Sequence, residues 1–585
     1  MRCDTIERMY FSELAQYFER VEKTPARLET TKILAELYQK LSPDEIQKTT
    51  YLLQGRVAPL YESVEFGMAE KTVIKSVVSA LNIDRSYFEK ENKRIGDVGT
   101  TVEEFKKQFI SFEEKQLTID EVFSELQRLA HASGDGSNDL KVGILAALIR
   151  QLDPLSCRYL VRIPQGMLRL GFSDMTILDV FSWMTIGTKE YRADLQSAYQ
   201  MSPDLGLIGK LIREKGIEGI RKVTPTLFTP IIMMRAERLS SGEEIITQIG
   251  TCAIEPKYDG FRLQIHCDAD LGVVKLYSRN LEDVTHMYPD IALGIKQEIK
   301  GKQVILEGEA IGYNKEEDIF LPFQNTVQRK RKYNIEEKAK EIPLRLFVFE
   351  LLYIDGESFI NRPFTERRKR LEGIISIKAT AKKNTVILAP HALYSDPLFV
   401  EKSFDKAVEE GLEGIIAKKL DGLYRPGARE WNWIKFKRSY SSKIHDTVDC
   451  MVLGYDIGKG KRTDFGIGAF LVGIYDKAKD MYVSISKIGT GLTDSEWREM
   501  KKRCDALRAR TIHASYVVDQ LMYVDVWVTP GIVVEIKADE ITKSPVHSAG
   551  YALRFPRLVR FRDDKSPQEA TTLDEISSLY TKQEA

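Results

Sequence analysis

Hydrophobic positions change their spacing twice along this chain. Up to about residue 225 they recur at helical intervals. Ile74, Val77, Val78 and Leu81 stand at i, i+3, i+4 and i+7, which places them on one helix face that a packed bundle buries. Loop-forming residues interrupt this pattern at Ser133-Gly134-Asp135-Gly136-Ser137-Asn138, and helix resumes around 142–148. Pro225 and Pro230 flank a linker, after which short β-rich runs dominate, at 273–277, 304–306, 344–349 and 414–417. A third region opens around 445–449, with strands at 452–455, 470–475 and 532–536 and glycine turns between them. Many short strands with such turns predict a small β-barrel. The expected architecture is multidomain α+β: a helical domain over 1–225, a mixed α/β domain over 226–445 and a β-barrel domain over 446–585. No internal repeat or low-complexity tract is visible.

Length fits that division, since 585 residues exceed what one hydrophobic core holds. With 86 basic and 86 acidic residues the chain is neutral, which argues against a histone-like polycation. Neutrality neither supports nor excludes nucleic-acid binding, because basic residues concentrated on one face suffice. Cys3, Cys157, Cys252, Cys267, Cys450 and Cys504 are scattered, without Cys-x-x-Cys spacing. A reducing compartment is expected, with no zinc finger or disulfide framework. The first residues, Met1-Arg2-Cys3-Asp4-Thr5-Ile6-Glu7-Arg8, carry charge where a signal peptide needs an apolar core, and no apolar stretch is long enough to cross a bilayer. The sequence therefore predicts a soluble intracellular protein.

The chemistry concentrates at Glu255-Pro256-Lys257-Tyr258-Asp259-Gly260-Phe261-Arg262. A lysine becomes a covalent nucleophile where its ammonium loses its proton, which a dehydrated or cationic pocket promotes. Asp259 and Arg262 frame such a pocket, and Gly260 permits a sharp turn beside a phosphate. Taken alone, Lys-x-Asp-Gly-x-Arg is more often a charged turn between strands. The residues that follow change that weighting: Ser278-Arg279-Asn280, Leu306-Glu307-Gly308-Glu309, Phe347-Val348-Phe349-Glu350, Glu413-Gly414-Ile415-Ile416-Ala417-Lys418 and Trp433-Ile434-Lys435-Phe436-Lys437, in that order. Near the end come Ala538-Asp539-Glu540-Ile541-Thr542, Ser544-Pro545 and the segment from Leu553-Arg554-Phe555-Pro556-Arg557 to Lys565.

This ordered set resembles the ATP-dependent DNA ligases of the covalent nucleotidyltransferase superfamily, most closely the replicative type of archaea and eukaryotes. The resemblance spans nearly the whole chain. It implies a helical DNA-binding domain, a nucleotidyltransferase (adenylation) domain and an OB-fold barrel. It also implies ATP as adenylate donor, Mg²⁺ or Mn²⁺ as metal, and nick sealing in duplex DNA during replication, repair and recombination. Lys257 is then the nucleophile. Arg262, Arg279 and Arg429 fall at nucleotide-contact positions, and Glu309 at a ribose or metal position, with Glu307 the weaker alternative. Glu413 becomes a metal-site carboxylate across the pocket. Phe349 takes the adenine-stacking position, although Phe347 on the same predicted strand face serves equally by pattern, and Glu255 accepts from the adenine amino group or presents its backbone there. Lys435 and Lys437 alternate with apolar neighbours, so both project to one strand face, where two cations would favour a neutral Lys257 and neutralise the α-phosphate.

Arg554, Arg557 and Lys565 are the residues that would orient pyrophosphate as the barrel swings over the pocket, so conformational cycling belongs to the expected mechanism. Their segment, which also carries Arg560 and Arg562, interleaves cations with Phe555, Leu558, Val559 and Phe561, a pattern that predicts buried apolar and outward basic positions. Lys459, Lys461, Arg462 and Lys487 are candidate phosphate-backbone contacts. Gly55-Arg56-Val57-Ala58-Pro59, Phe66-Gly67-Met68-Ala69-Glu70-Lys71 and Arg169 resemble DNA-binding-domain segments, whose grip should fall on the backbone because a ligase works at any sequence. Gln108-Phe109-Ile110-Ser111-Phe112 departs from the usual sliding-clamp peptide but is a candidate for one. A monomer is expected, with no membrane partner. A capping guanylyltransferase, an RNA ligase and a DNA-binding scaffold with a dead pocket remain alternatives. NAD⁺ use is disfavoured by the missing zinc-cysteine cluster.

Overall fold

The computed structural model describes the chain except for residues 1–7, 109–113, 167, 315–318, 322, 332–333, 376–383, 411, 438–446, 459–464, 490–491 and 585. Residues 109–112 of the clamp-peptide candidate, and Lys459, Lys461 and Arg462, thus lie outside the described residues. The chain forms two compact units, one of 1–403 with 409–435, the other of 404–408 with 436–585.

The first unit begins with helices running from Phe11–Glu22 to Leu205–Arg221. Local sequence sets their ends. Ser42 accepts the Glu45 N–H while Glu45 reaches back to the Ser42 N–H, and Pro43 occupies the first turn. Thr118 and Glu121 repeat the device at Ile119–His131. The face expected for Glu70–Leu81 is the one observed, with Ile74, Val77 and Leu81 buried and Val78 packed at the edge of the same core. That core, led by Phe11, Phe18, Leu34, Tyr38, Leu52, Leu126, Leu160 and Phe181, holds the helices together.

Strands dominate after the proline-flanked linker. This region is built on β1 (Cys252–Lys257), β2 (Phe261–Asp268), β3 (Val273–Ser278), β4 (Gln303–Asn314), β5 (Leu344–Ile354), β6 (Gly414–Lys419) and β7 (Arg429–Lys437). One sheet runs β3-β2-β4-β5, with short strands at its margins. The other runs from Arg235–Arg238 through β7, β6 and β1 to Ala392–Tyr394. A cluster that includes Ile305, Leu352, Tyr424 and Trp433, with Phe349 against it, draws on both sheets. The motif residues therefore sit on strands whose backs are fixed in packed cores.

In the second unit, β8 (Val448–Asp456) pairs along one side with β9 (Ala469–Asp476). Along its other side the two halves of β8 pair with different strands, Val533–Lys537 and Val526–Val528. A first strand shared in this way curls the sheet around Val452, Phe470, Val472, Ile485, Val534 and Ile536, giving the β-rich C-terminal domain expected. The interleaved segment differs from its expected pattern. Leu558 is buried, but Phe555 and Val559 are exposed, and Phe555 has a φ of 52°. A positive φ before Pro556 turns the chain out of the strand alternation that the pattern assumed.

Candidate active site

Strand pairing assembles the site. β6 runs antiparallel to β1 with Gly414 opposite Lys257, so the residue just before β6 lies beside the lysine. The Glu413 N–H donates to the Lys257 carbonyl at 3.0 Å, and the Glu413 carboxylate accepts from Lys257 Nζ. Both side chains are about a quarter exposed, at 23% and 24%. The group bonded to the Lys257 ammonium is thus a carboxylate, the natural partner of a half-buried positive charge. Lys435 and Lys437 are half-buried on β7 with Phe436 buried between them, as strand alternation requires.

The turn after Lys257 leads into β2, where Arg262 lies opposite Glu309 of β4. Burial pushes the Glu309 carboxyl up to about 7, Lys257 and Arg262 pull against that, and Glu413 and Asp259 add to the rise. Glu309 thus feels two other carboxylates and two cations, and Glu413 is bonded to Lys257. Among the described residues no group of three or more His, Cys, Asp or Glu is arranged around a metal position. The donor set still fits Mg²⁺, which takes hard oxygen ligands from one or two carboxylates and keeps several waters. Gly260, at the bend between β1 and β2, is also needed because a Cβ there would collide with the Ala310 carbonyl of β4.

Several candidates are held by neighbours rather than left open. Arg262 donates to the Met234 carbonyl at 2.7 Å and to Glu307 at 2.7 Å. Glu307, fully buried, also accepts from Gln264 and Tyr424, so its acceptor capacity is spent inside the fold. Arg279 is exposed on the turn after β3, and Arg429 is exposed at the start of β7. In the second unit Arg557 pairs with Asp539, and Lys565 with Asp449 at 2.7 Å, while the Arg554 guanidinium lies over the Phe555 ring. Lys487 pairs with Asp456 at 2.9 Å.

The two phenylalanines of β5 are not equivalent. The register with β4 slips between Val348 and Glu350, leaving Phe349 on a bulge. Phe347 is 5% exposed and stacks on Tyr258 at 4.2 Å. Phe349 is only partly buried, packs edge-on against Trp433 at 6.0 Å and has the Arg262 guanidinium 5.6 Å from its ring. A bulge ends strict alternation, so the shared face expected from the sequence does not survive. Glu255 is buried and holds Lys418, a residue whose role no local sequence pattern shows. Arg368 and the Glu350–Arg367 pair have no sequence signature, because their partners meet only in three dimensions.

In the helical region Gly55 and Gly166 meet. A Cβ on Gly55 would lie 2.7 Å from Gly166 Cα, and both backbones take positive φ, so the Gly55–Pro59 segment packs against the chain just before Arg169. Arg169 itself donates to the Gly96 carbonyl at 3.1 Å.

Comparison with known proteins decides the family. Three family models match in order: "DNA ligase N terminus" over 10–182, "ATP dependent DNA ligase domain" over 233–437 and "ATP dependent DNA ligase C terminal region" over 463–565. The chain belongs to the ATP-dependent DNA ligases. It is 45% identical over 580 residues to a probable DNA ligase of Dictyoglomus turgidum, covering 98% of this chain and 97% of that one. It is 37% identical over 597 residues to a DNA ligase of Acidianus ambivalens, with 98% of each covered. A solved structure titled Pmar-Lig_PreS3 shares the fold at a TM-score of 0.55 and 18% identity, covering 94% of this chain and 99% of that one. Ligases of this family use ATP and Mg²⁺ and seal nicked DNA. Among the described residues of this ligase no helix is long and apolar enough to cross a membrane.

Proposed function

We propose that Lys257 is the adenylated residue of this ligase. The observation that supports the reading is strand pairing: β6 against β1 sets Glu413 on Lys257, and β4 against β2 sets Glu309 opposite Arg262. In the first step the Lys257 amine bonds to the α-phosphorus of ATP and pyrophosphate leaves. Glu413 holds the ammonium in place until it sheds its proton. AMP then passes to the 5′-phosphate of a nick, freeing the lysine, and the 3′-hydroxyl displaces AMP to close the backbone. Glu309 and Glu413 would hold a divalent cation, which supplies charge to the phosphoryl oxygens. Glu255 and Phe349 bind the adenine edge and face, with Arg262, Arg279, Arg429, Lys435 and Lys437 toward ribose and phosphates. Arg554, Arg557 and Lys565 orient the leaving pyrophosphate.

The division at 225 and 445 into DNA-binding, adenylation and OB-fold domains belongs to this reading, as does action as a monomer. Gln108 marks the sliding-clamp segment, and an unchanged elution volume on mixing with a clamp would remove that part. The whole is tested by incubating the protein with α-labelled ATP, GTP or NAD⁺ and then adding nicked duplex. Label from ATP alone should appear on the chain, vanish in Lys257→Ala and leave when the nick is sealed. An adduct that persists in Lys257→Ala overturns the assignment.

A further inference from the structure

A buried lysine stands behind the nucleotide site. On β6, Lys418 lies two residues beyond Ile416, which is opposite Glu255 on β1, so Lys418 and Glu255 are diagonal neighbours on one sheet face. The Lys418 side chain is 1% exposed. Its Nζ donates to Glu255 Oε2 at 2.8 Å and to the Phe349 carbonyl at 2.9 Å. It also lies 4.6 Å from the Trp433 ring centre and 5.0 Å from that of Phe349. One ammonium therefore ties together the carboxylate and the aromatic residue assigned to the base. A surface role is excluded by burial, and a burial this costly is sustained only by such partners.

The second oxygen of Glu255 behaves differently. Oε1 is buried without a hydrogen-bond donor, and Arg368 Nη1, 3.7 Å away, is likewise without an acceptor. A carboxylate with one oxygen fixed by lysine and the other unspent is set to accept from an exocyclic amine. We propose that Lys418 is a positioning residue that sets base selectivity in the adenylation step, by fixing Glu255 and the Phe349 main chain in one frame. The inference rests on the assignment of Lys257, Glu255 and Phe349 above. Adenine offers an amino donor to Oε1, whereas guanine offers a carbonyl oxygen there, and purine riboside triphosphate offers neither.

The test compares lysyl-adenylate formation from ATP with adduct formation from purine riboside triphosphate and GTP, in wild type, Lys418→Met, Glu255→Gln and the double variant. Lys418→Met should lose about tenfold or more of the preference for ATP over purine riboside triphosphate, with the loss in KM exceeding that in kcat. In the Glu255→Gln background the same substitution should change that preference little, because the path runs through Glu255. The double variant also removes both buried charges, so it reports on selectivity if the single variant fails to fold. A wild-type preference in Lys418→Met, or equal further losses in both backgrounds, overturns the proposal. An absent adduct in wild type instead overturns the assignment of Lys257, so the two failures are distinct.

Discussion

Replacing Arg367 with Met breaks a fully buried ion pair behind the central strands. Arg367 is 0% exposed and Glu350 1%. The guanidinium donates to both Glu350 oxygens at 2.8 and 3.0 Å and to the carbonyls of Arg362 and Gly422 at 2.7 and 2.8 Å. An uncompensated buried carboxylate costs about 3–5 kcal/mol, and each orphaned carbonyl adds on the order of 1 kcal/mol. Glu350 keeps the Leu351 N–H at 3.1 Å and the nearby charge of Lys418, which offset part of the loss. The expected destabilisation is about 4 kcal/mol, close to a thousandfold in local opening. Hydrogen exchange of peptides spanning 344–374 reads it directly. Arg367→Met with Glu350→Leu should recover to within about 1.5 kcal/mol of wild type, because no charge is then stranded. Burial pushes the Glu350 carboxyl up, and Arg367 with Lys418 pulls it further down, below the ordinary carboxylate value. The pair's contribution is therefore present above the ordinary carboxylate range and is lost as pH falls through the lowered pKa. A single variant that loses under about 1 kcal/mol, or a double variant no more stable than the single, refutes this reasoning.

Three further outcomes separate roles at the site. Phe347→Ala should cost about 3–4 kcal/mol of stability through its stack on Tyr258, whereas Phe349→Ala should mainly raise KM for ATP in adenylation assays. An unstructured Glu titrates at 4.5 and folded Glu309 near 7, so in chelator stability should fall as pH rises across that window, by up to about 3 kcal/mol, and level off above it. Glu309→Gln should flatten that slope in thermal melts and remove the stabilisation that added Mg²⁺ gives at pH 8. Arg557 is half exposed beside Asp539, so Arg557→Ala should shift stability by under about 0.5 kcal/mol. It should slow adenylation while sparing the sealing of pre-adenylated nicks, and equal losses in both would contradict its role.

Much of the fold was legible because local signals agree with tertiary ones. The face of Ile74, Val77 and Leu81 needed only helical period, and the runs at 273–277 and 344–349 needed only β-branched and aromatic density. The chemistry was legible at Lys257 because its motifs recur in order. What escaped depends on register and packing. A bulge at Phe349 cannot be read from alternation, and it alone distinguishes that residue from Phe347. Lys418 has no partner legible in its own strand, and only the pairing of β6 with β1 brings Glu255 to it. Arg367 and Arg368 occupy a helix, Phe364–Ile374, whose sequence is strongly charged, and only the sheet beneath shows which arginines are buried. Phe555 failed in the opposite sense, an aromatic in an alternating run that a positive φ turns outward.

The most direct measurement is the location of the adduct. Protein incubated with ATP and Mg²⁺ is digested and the adenylated peptide sequenced by mass spectrometry, before and after a stoichiometric addition of nicked duplex. The account predicts AMP on Lys257 alone, discharged in step with sealed product. Adenylate on another residue, or adenylate on Lys257 that persists while nicks are joined, contradicts it.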